Sequence, residues 1–180
     1  MRPIGIVTFA ALMSLGWVST GWAQQPSAQS MKTFASSAEV QDLIANSKKI
    51  RKSDQPTVSS PIVQLAPYRA SLEYRPAVGP AARHETEAEL FYVIDGSGTL
   101  VTGGKIANEK PSNPGNFNGT AIAGGTPQAV AKGDFFIVPE NTPHQFIDIK
   151  GALVLMSLHL PRGGAKQDHG SSTSDVREKR

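Results

Sequence analysis

From Ile62 onward the chain alternates apolar and polar residues in short runs broken by glycine and proline. The runs IVQLAP, RASLEYRP, AELFYVIDG, GTLVTGG, DFFIVP and GALVLMSLHLP are rich in β-branched and aromatic residues. That pattern predicts strands, and many short strands at regular spacing predict a sandwich or barrel. Before them, SSAEVQDLIANSKKIRK changes period. Val40, Leu43 and Ile44 share one face of a helix, Ser36 or Ser37 can cap it, and Glu39 supports the first turn. Lysines at its other end suit the helix dipole. No second helix of convincing length is predicted. The expected fold class is therefore all-β with a short N-terminal α-helix.

The ends read differently. MRPIGIVTFAALMSLGWVSTGWA has a positive Arg2, an apolar stretch from Ile4 to Val18, and small residues around a cleavage point after Ala23. This is the pattern of a secretory signal peptide over 1–23, and it predicts a periplasmic or secreted protein with no membrane segment left after cleavage. Residues 24–60 form a polar segment with the helix and a linker, SDQPTVSSP. The barrel domain is expected over 61–161, and 162–180 reads as a flexible polar tail containing His169. The Asn/Gly/Pro-rich stretch 107–127 reads as a long loop with room for a short hairpin around Thr120 to Ile122.

Composition narrows the chemistry. Hydrophobic residues make up 39% of the chain and charged residues 18%, which suits one globular domain. The net charge is only +3 and no basic face carries interleaved aromatics, so nucleic acid is not an expected partner. There is no cysteine, which excludes disulfides, thiolate catalysis and cysteine metal sites. Any metal must be held by carboxylates and by His84, His144, His159 or His169.

Two stretches carry candidate chemistry. In HETEAELFYVIDGSG, the strand from Glu89 places Glu89, Phe91 and Val93 on one face. A carboxylate opening an otherwise apolar face needs a partner. On an extended strand Glu85 and Glu87 share the face of Glu89 while His84 lies opposite, so a bend near Thr86 is needed to bring His84 in. In KGDFFIVPENTPHQFID, Gly133-Asp134 turns, FFIV is a buried strand, PENTP is a stiff turn, and His144 begins the next strand with Phe146 on its face and Gln145 pointing away.

These stretches resemble the two motifs of the cupin superfamily. Gly133, DFFIV, Pro139, Glu140, Asn141, TP, His144, QFI and Asp148 keep the spacing of the second motif, with Asn141 for its inner glycine and Asp148 for its final asparagine. Asn, like Gly, tolerates positive φ. Glu89, LFYVID and Gly96 fit the second half of the first motif, and His84 fits its second histidine. Its first histidine falls on Ala82. The resemblance covers roughly Ile62 to Leu160 and implies a double-stranded β-helix, the cupin or jelly-roll barrel. It implies a divalent metal held by His84, Glu89 and His144; two His and one carboxylate suit Fe(II), and Zn, Mn or Ni are also admitted. Glu85, Glu87 and His159 are candidates for a further ligand or an acid–base group. His159, on a strand apolar on both faces, reads first as a core or rim histidine. Tyr74, Arg83, Phe91 and Phe146 are candidates to line a pocket for a small organic molecule, with Tyr68, Phe135 and Phe136 further options. Three functions follow from the resemblance: an exported metal-dependent enzyme of oxygenase, lyase or isomerase type, a non-catalytic ligand-binding barrel, or a structural barrel that forms a homodimer.

Overall fold

One helix packs against the outside of a two-sheet barrel. The computed structural model describes residues 31–162. The signal peptide read over 1–23 and the tail beyond Arg162 lie outside these residues. The helix α1 (Ser37–Ile50) begins as its sequence predicts, with the Ser36 side chain accepting from the Glu39 amide at 3.2 Å. Ile44 packs with Ile62, Leu72 and Val154, and Val40 and Leu43 border that cluster. The helix thus covers the outer face of the first sheet.

The strands are β1 (Val58–Leu65), β2 (Tyr68–Arg75), β3 (Ala81–His84), β4 (Glu87–Asp95), β5 (Ser97–Thr102), β6 (Lys105–Ala107), β7 (Lys110–Asn113), β8 (Asn116–Gly119), β9 (Ala121–Ala123), β10 (Thr126–Ala131), β11 (Phe135–Val138), β12 (His144–Ile147) and β13 (Leu153–Pro161). One antiparallel sheet has the order β1-β2-β13-β4-β11, a second β10-β5-β12-β3-β8-β7, and β6 pairs with β9 alone. Between the two larger sheets lies the core: Phe91, Val93, Leu100, Val130, Val138, Phe146, Leu153 and Leu155. The first strand begins at Val58, three residues before the expected barrel boundary at 61.

The stretch 107–127 is not a loop. It contains β7, β8 and β9, and β8 joins the second sheet beside β3. Its residues lack apolar alternation because most are exposed, so period alone hides the strands. The Asn and Gly that suggested a loop serve tight turns: Gly115 holds φ 75° between β7 and β8.

Turn chemistry at the motif positions is as the spacing requires. Asn141, standing for the motif's glycine, has φ 56°. Gly96 has φ 84°, and a Cβ there would meet the Ala152 carbonyl oxygen at 1.9 Å, so no side chain fits. The chain also breaks where a bend was needed. β3 ends at His84, β4 begins at Glu87 in the other sheet, and Glu85-Thr86 carries the turn.

Candidate metal centre

Strand pairing gathers the site from four strands. In the first sheet, His159 on β13 lies directly opposite Glu89 on β4. In the second, Ala82 on β3 pairs with His144 on β12 and with Asn118 on β8, while His84 pairs with Asn116. The inward faces of both sheets therefore carry their polar residues to one end of the barrel, above Phe91 and Phe146.

Three imidazoles converge on one carboxylate. His84 Nε2 lies 3.2 Å and His144 Nε2 3.3 Å from Glu89 Oε2, and His159 Nε2 lies 3.3 Å from Glu89 Oε1. The donor atoms of His84, Glu89 and His159 fall within 4.8 Å of one another. Glu89 and His144 are each only 4% exposed. Each ring is held from behind through its other nitrogen. His159 Nδ1 donates to Glu87 Oε2 at 2.9 Å, and His144 Nδ1 donates to the Thr142 carbonyl at 3.3 Å. His84 Nδ1 donates to Asn116 Oδ1. The Asn116 amide nitrogen is engaged by Asn113 Oδ1 and by the Pro114 carbonyl, so its oxygen is the atom left for His84.

That wiring has an electrostatic consequence. With a proton on every Nδ1, the three neutral imidazoles would turn Nε2 lone pairs toward a carboxylate, which is repulsive unless a cation lies between them. Protons can serve. Burial would raise the Glu89 pKa, but hydrogen bonds from His144, His159 and His84 outweigh it and hold the carboxyl well below its usual range. Burial likewise opposes the charged form of His84, yet its hydrogen bond to Glu89, the Glu89 charge and Asn116 lift its pKa above the ordinary value. A divalent metal can serve as well. Three imidazoles and one carboxylate form a nitrogen-and-oxygen donor set that fits Fe(II), Zn, Mn or Ni.

The structure places the other sequence candidates as follows. His159, read first as a core or rim histidine, sits at the barrel mouth and joins the cluster, because its strand lies beside β4 and its inward position is level with Glu89. Glu87 stands behind His159 rather than inside the cluster. Glu85 is exposed and pairs with Arg83 at 3.5 Å. A cleft of about 350 Å³ opens beside the cluster, lined by Glu73, Arg75, Ala82, Asn118, Thr57 and Pro80 together with the histidines and Glu89. Tyr74 and Arg83 do not line it. Each sits one residue out of phase, so strand alternation turns Tyr74 toward the helix side and Arg83 onto Phe117 outside the sheet. Phe91 and Phe146 are buried beneath the cleft, with Phe91 edge-on to the His144 ring at 6.1 Å. Tyr68 and Phe135 are exposed, and Phe136 packs into the core. Gln145 does point away from His144, donating to the Gly79 carbonyl at 2.9 Å. Sequence reasoning missed Asn116, Asn118, Glu73 and Arg75. The signal for the first two was the Asn-Pro-Gly-Asn turn, which marks a hairpin. For the last two it was the strict polar alternation at 69, 71, 73 and 75.

Two facing antiparallel sheets bring both motif stretches to one barrel mouth, with the chain turning at Gly96, Gly133 and Asn141 as those motifs require. The fold is a cupin-type double-stranded β-helix. No protein-family model and no curated protein matches the chain. Among solved structures, similar ones include a putative mannose-6-phosphate isomerase from Ralstonia eutropha JMP134, at 14% identity and TM-score 0.44 over 62% of this chain and 91% of that one. The cupin domain of Cnp3 from Schizosaccharomyces pombe matches at 16% identity and TM-score 0.45, over 64% of this chain and 72% of that one. FeII HppE matches at 17% identity and TM-score 0.46, over 62% of this chain and 53% of that one. Likeness at this level carries neither ligand nor reaction to this chain.

Proposed function

We propose that this cupin-type barrel binds one divalent metal through His84, Glu89, His144 and His159 and acts on a small organic molecule in the adjoining cleft. The observation that carries the reading is the convergence of three Nε2 atoms on one buried carboxylate, each ring fixed through Nδ1 by its own acceptor. Three neutral rings so fixed need a shared cation, and that arrangement is the usual support of metal-binding histidines. A metal held there would supply a Lewis acid beside the cleft. The protein's own share is to orient the donors, to exclude water below them with Phe91 and Phe146, and to present Asn118 and Arg75 to the ligand. We also read the chain as exported by way of 1–23, and a homodimer as its assembly.

A second reading, a barrel that binds its ligand without turnover, is favoured by one feature. Glu73 is the cleft-lining carboxylate outside the cluster, and it is committed to Arg75 and Ser157 rather than free to move a proton. Oxygen-dependent turnover with Fe(II) separates the two.

The test of the metal is elemental analysis of protein purified without affinity tag or chelator. Near-stoichiometric iron, zinc, manganese or nickel, lost in His84→Ala, His144→Ala and His159→Ala, is the expected result. No metal, and no uptake on reconstitution, would remove the metal reading.

A further inference from the structure

Away from the histidines, the same cleft holds a second pair of charged side chains. Glu73 and Arg75 point inward from β2, whose other face carries Leu72 and Tyr74 against the helix-covered cluster. Their side chains are only 12% and 15% exposed. Arg75 Nε donates to Glu73 Oε2 at 2.8 Å, and Nη2 lies 2.7 Å from that same oxygen. Glu73 Oε1 accepts from Ser157 Oγ at 3.3 Å. The guanidinium carbon lies 4.9 Å from the centre of the Phe146 ring. One edge of the guanidinium is thus spent on a single oxygen, and Nη1 has no acceptor among the described residues. Next to it is Gly79, where an added Cβ would stand 3.7 Å from Nη1 and 3.4 Å from Thr57 Oγ1.

Stability is a poor account of this pair. A shielded ion pair is often matched or bettered by apolar residues of similar volume, and the neighbouring inward residues Val93, Leu153 and Leu155 are all apolar. Its geometry suits recognition instead. Ser157 fixes Glu73, Glu73 fixes Arg75, and the ring of Phe146 backs the guanidinium, so an N–H edge is held ready at the cleft wall. The cleft, about 350 Å³, lies near the small end of ligand pockets.

We propose that this end of the cleft binds a carboxylate, so that the ligand is a small organic acid held by Arg75 at one end and facing the histidine cluster at the other. The second half of that statement rests on the metal reading; the first does not. A carboxylate is favoured over a phosphate monoester because one guanidinium edge is free and Glu73 stands beside it, which repels a dianion more than a monoanion.

Titration calorimetry on metal-reconstituted full-length protein tests this with D-gluconate, L-malate and glutarate. Each is paired with its uncharged alcohol: sorbitol, 1,2,4-butanetriol and 1,5-pentanediol. Metal content is measured on the same samples. At least one acid is expected to bind ten times or more tighter than its alcohol, because a hydrogen bond to a charged group is worth a tenfold factor or more. Arg75→Gln removes that preference while metal content stays at the wild-type level. Gly79→Ala leaves the charge intact but sets a methyl group in ordinary contact with Nη1, and it should weaken the acid severalfold without unfolding the protein. No preference for any acid, an unchanged preference in Arg75→Gln, or tighter binding of sorbitol 6-phosphate than of gluconate would overturn the proposal. An acid preference that Arg75→Gln abolishes, in protein that takes up no metal on reconstitution, would keep the Arg75 assignment and sink only the metal reading.

Discussion

At the scale of single residues, the informative position is His159. The first motif's leading histidine falls on Ala82, and Ala82 lies opposite His144 on the inner face. The third imidazole comes instead from β13, in the opposite sheet and beside β4. His159→Ala is expected to lose metal as fully as His84→Ala does. Ala82→His added to it should restore part of the uptake, read as metal per chain; uptake retained in His159→Ala alone would exclude His159 as a ligand. Glu87 acts through His159 by holding Nδ1 at 2.9 Å. Glu87→Ala should lower metal affinity roughly 10–100-fold in competition with a chelator. Glu87→Gln, which keeps an acceptor oxygen, should recover part of that loss. Equal losses in the two variants would show that charge rather than orientation is what Glu87 supplies.

At the scale of elements, the strands with one apolar face were legible and the exposed ones were not. β4 and β13 announce themselves because burial selects Phe, Val and Leu. β11, read as a buried strand, is buried on one face only: Phe136 and Val138 meet the core while Phe135 and Ile137 are exposed. β7, β8 and β9 are mostly exposed, so nothing in their composition separates strand from loop. For the same reason Asn116 could not be assigned to His84 from sequence: their pairing is a matter of register between segments 32 residues apart. The site's own two motifs were readable because their turns demand particular residues at fixed spacing. What spacing could not give was which face of β2 meets the cleft. The hairpin of β7 and β8 is held by the pairing of β8 with β3 and, among side chains, by Arg83. That side chain reaches Glu109 at 2.7 Å and Asn141 at 2.6 Å and lies 4.1 Å over the Phe117 ring. These contacts sit near the surface, so Arg83→Ala should cost only about 1 kcal/mol in urea unfolding. Its larger effect should be local, as faster hydrogen exchange at β8 amides. Unchanged exchange there would mean that backbone pairing alone holds the hairpin.

At the scale of the whole molecule, the histidine cluster sets a pH profile for the metal-free protein. Glu89 is held below its ordinary value of 4.5, so its contribution is present above that pH and is lost as pH falls through the folded value. His84 is raised above its ordinary 6.5, so its contribution is full below 6.5 and is lost as pH rises through the folded value. The metal-free barrel should therefore melt highest between these two ordinary values and less well on the alkaline side, in a series from about pH 4 to about pH 9. A melting temperature that does not fall above neutrality would rule out proton sharing between His84 and Glu89. The same four residues have a mechanical meaning. His84 and His144 belong to one sheet, Glu89 and His159 to the other. An ion among them would act as a buckle, fastening two leaves that are otherwise joined there by side chains and by the short Glu85-Thr86 turn. Loading the buckle should slow the opening of the barrel far more than it speeds its closing, since the four strands must already be in register before the ion can engage them. Stopped-flow unfolding with and without metal would show this as a change confined to the unfolding limb.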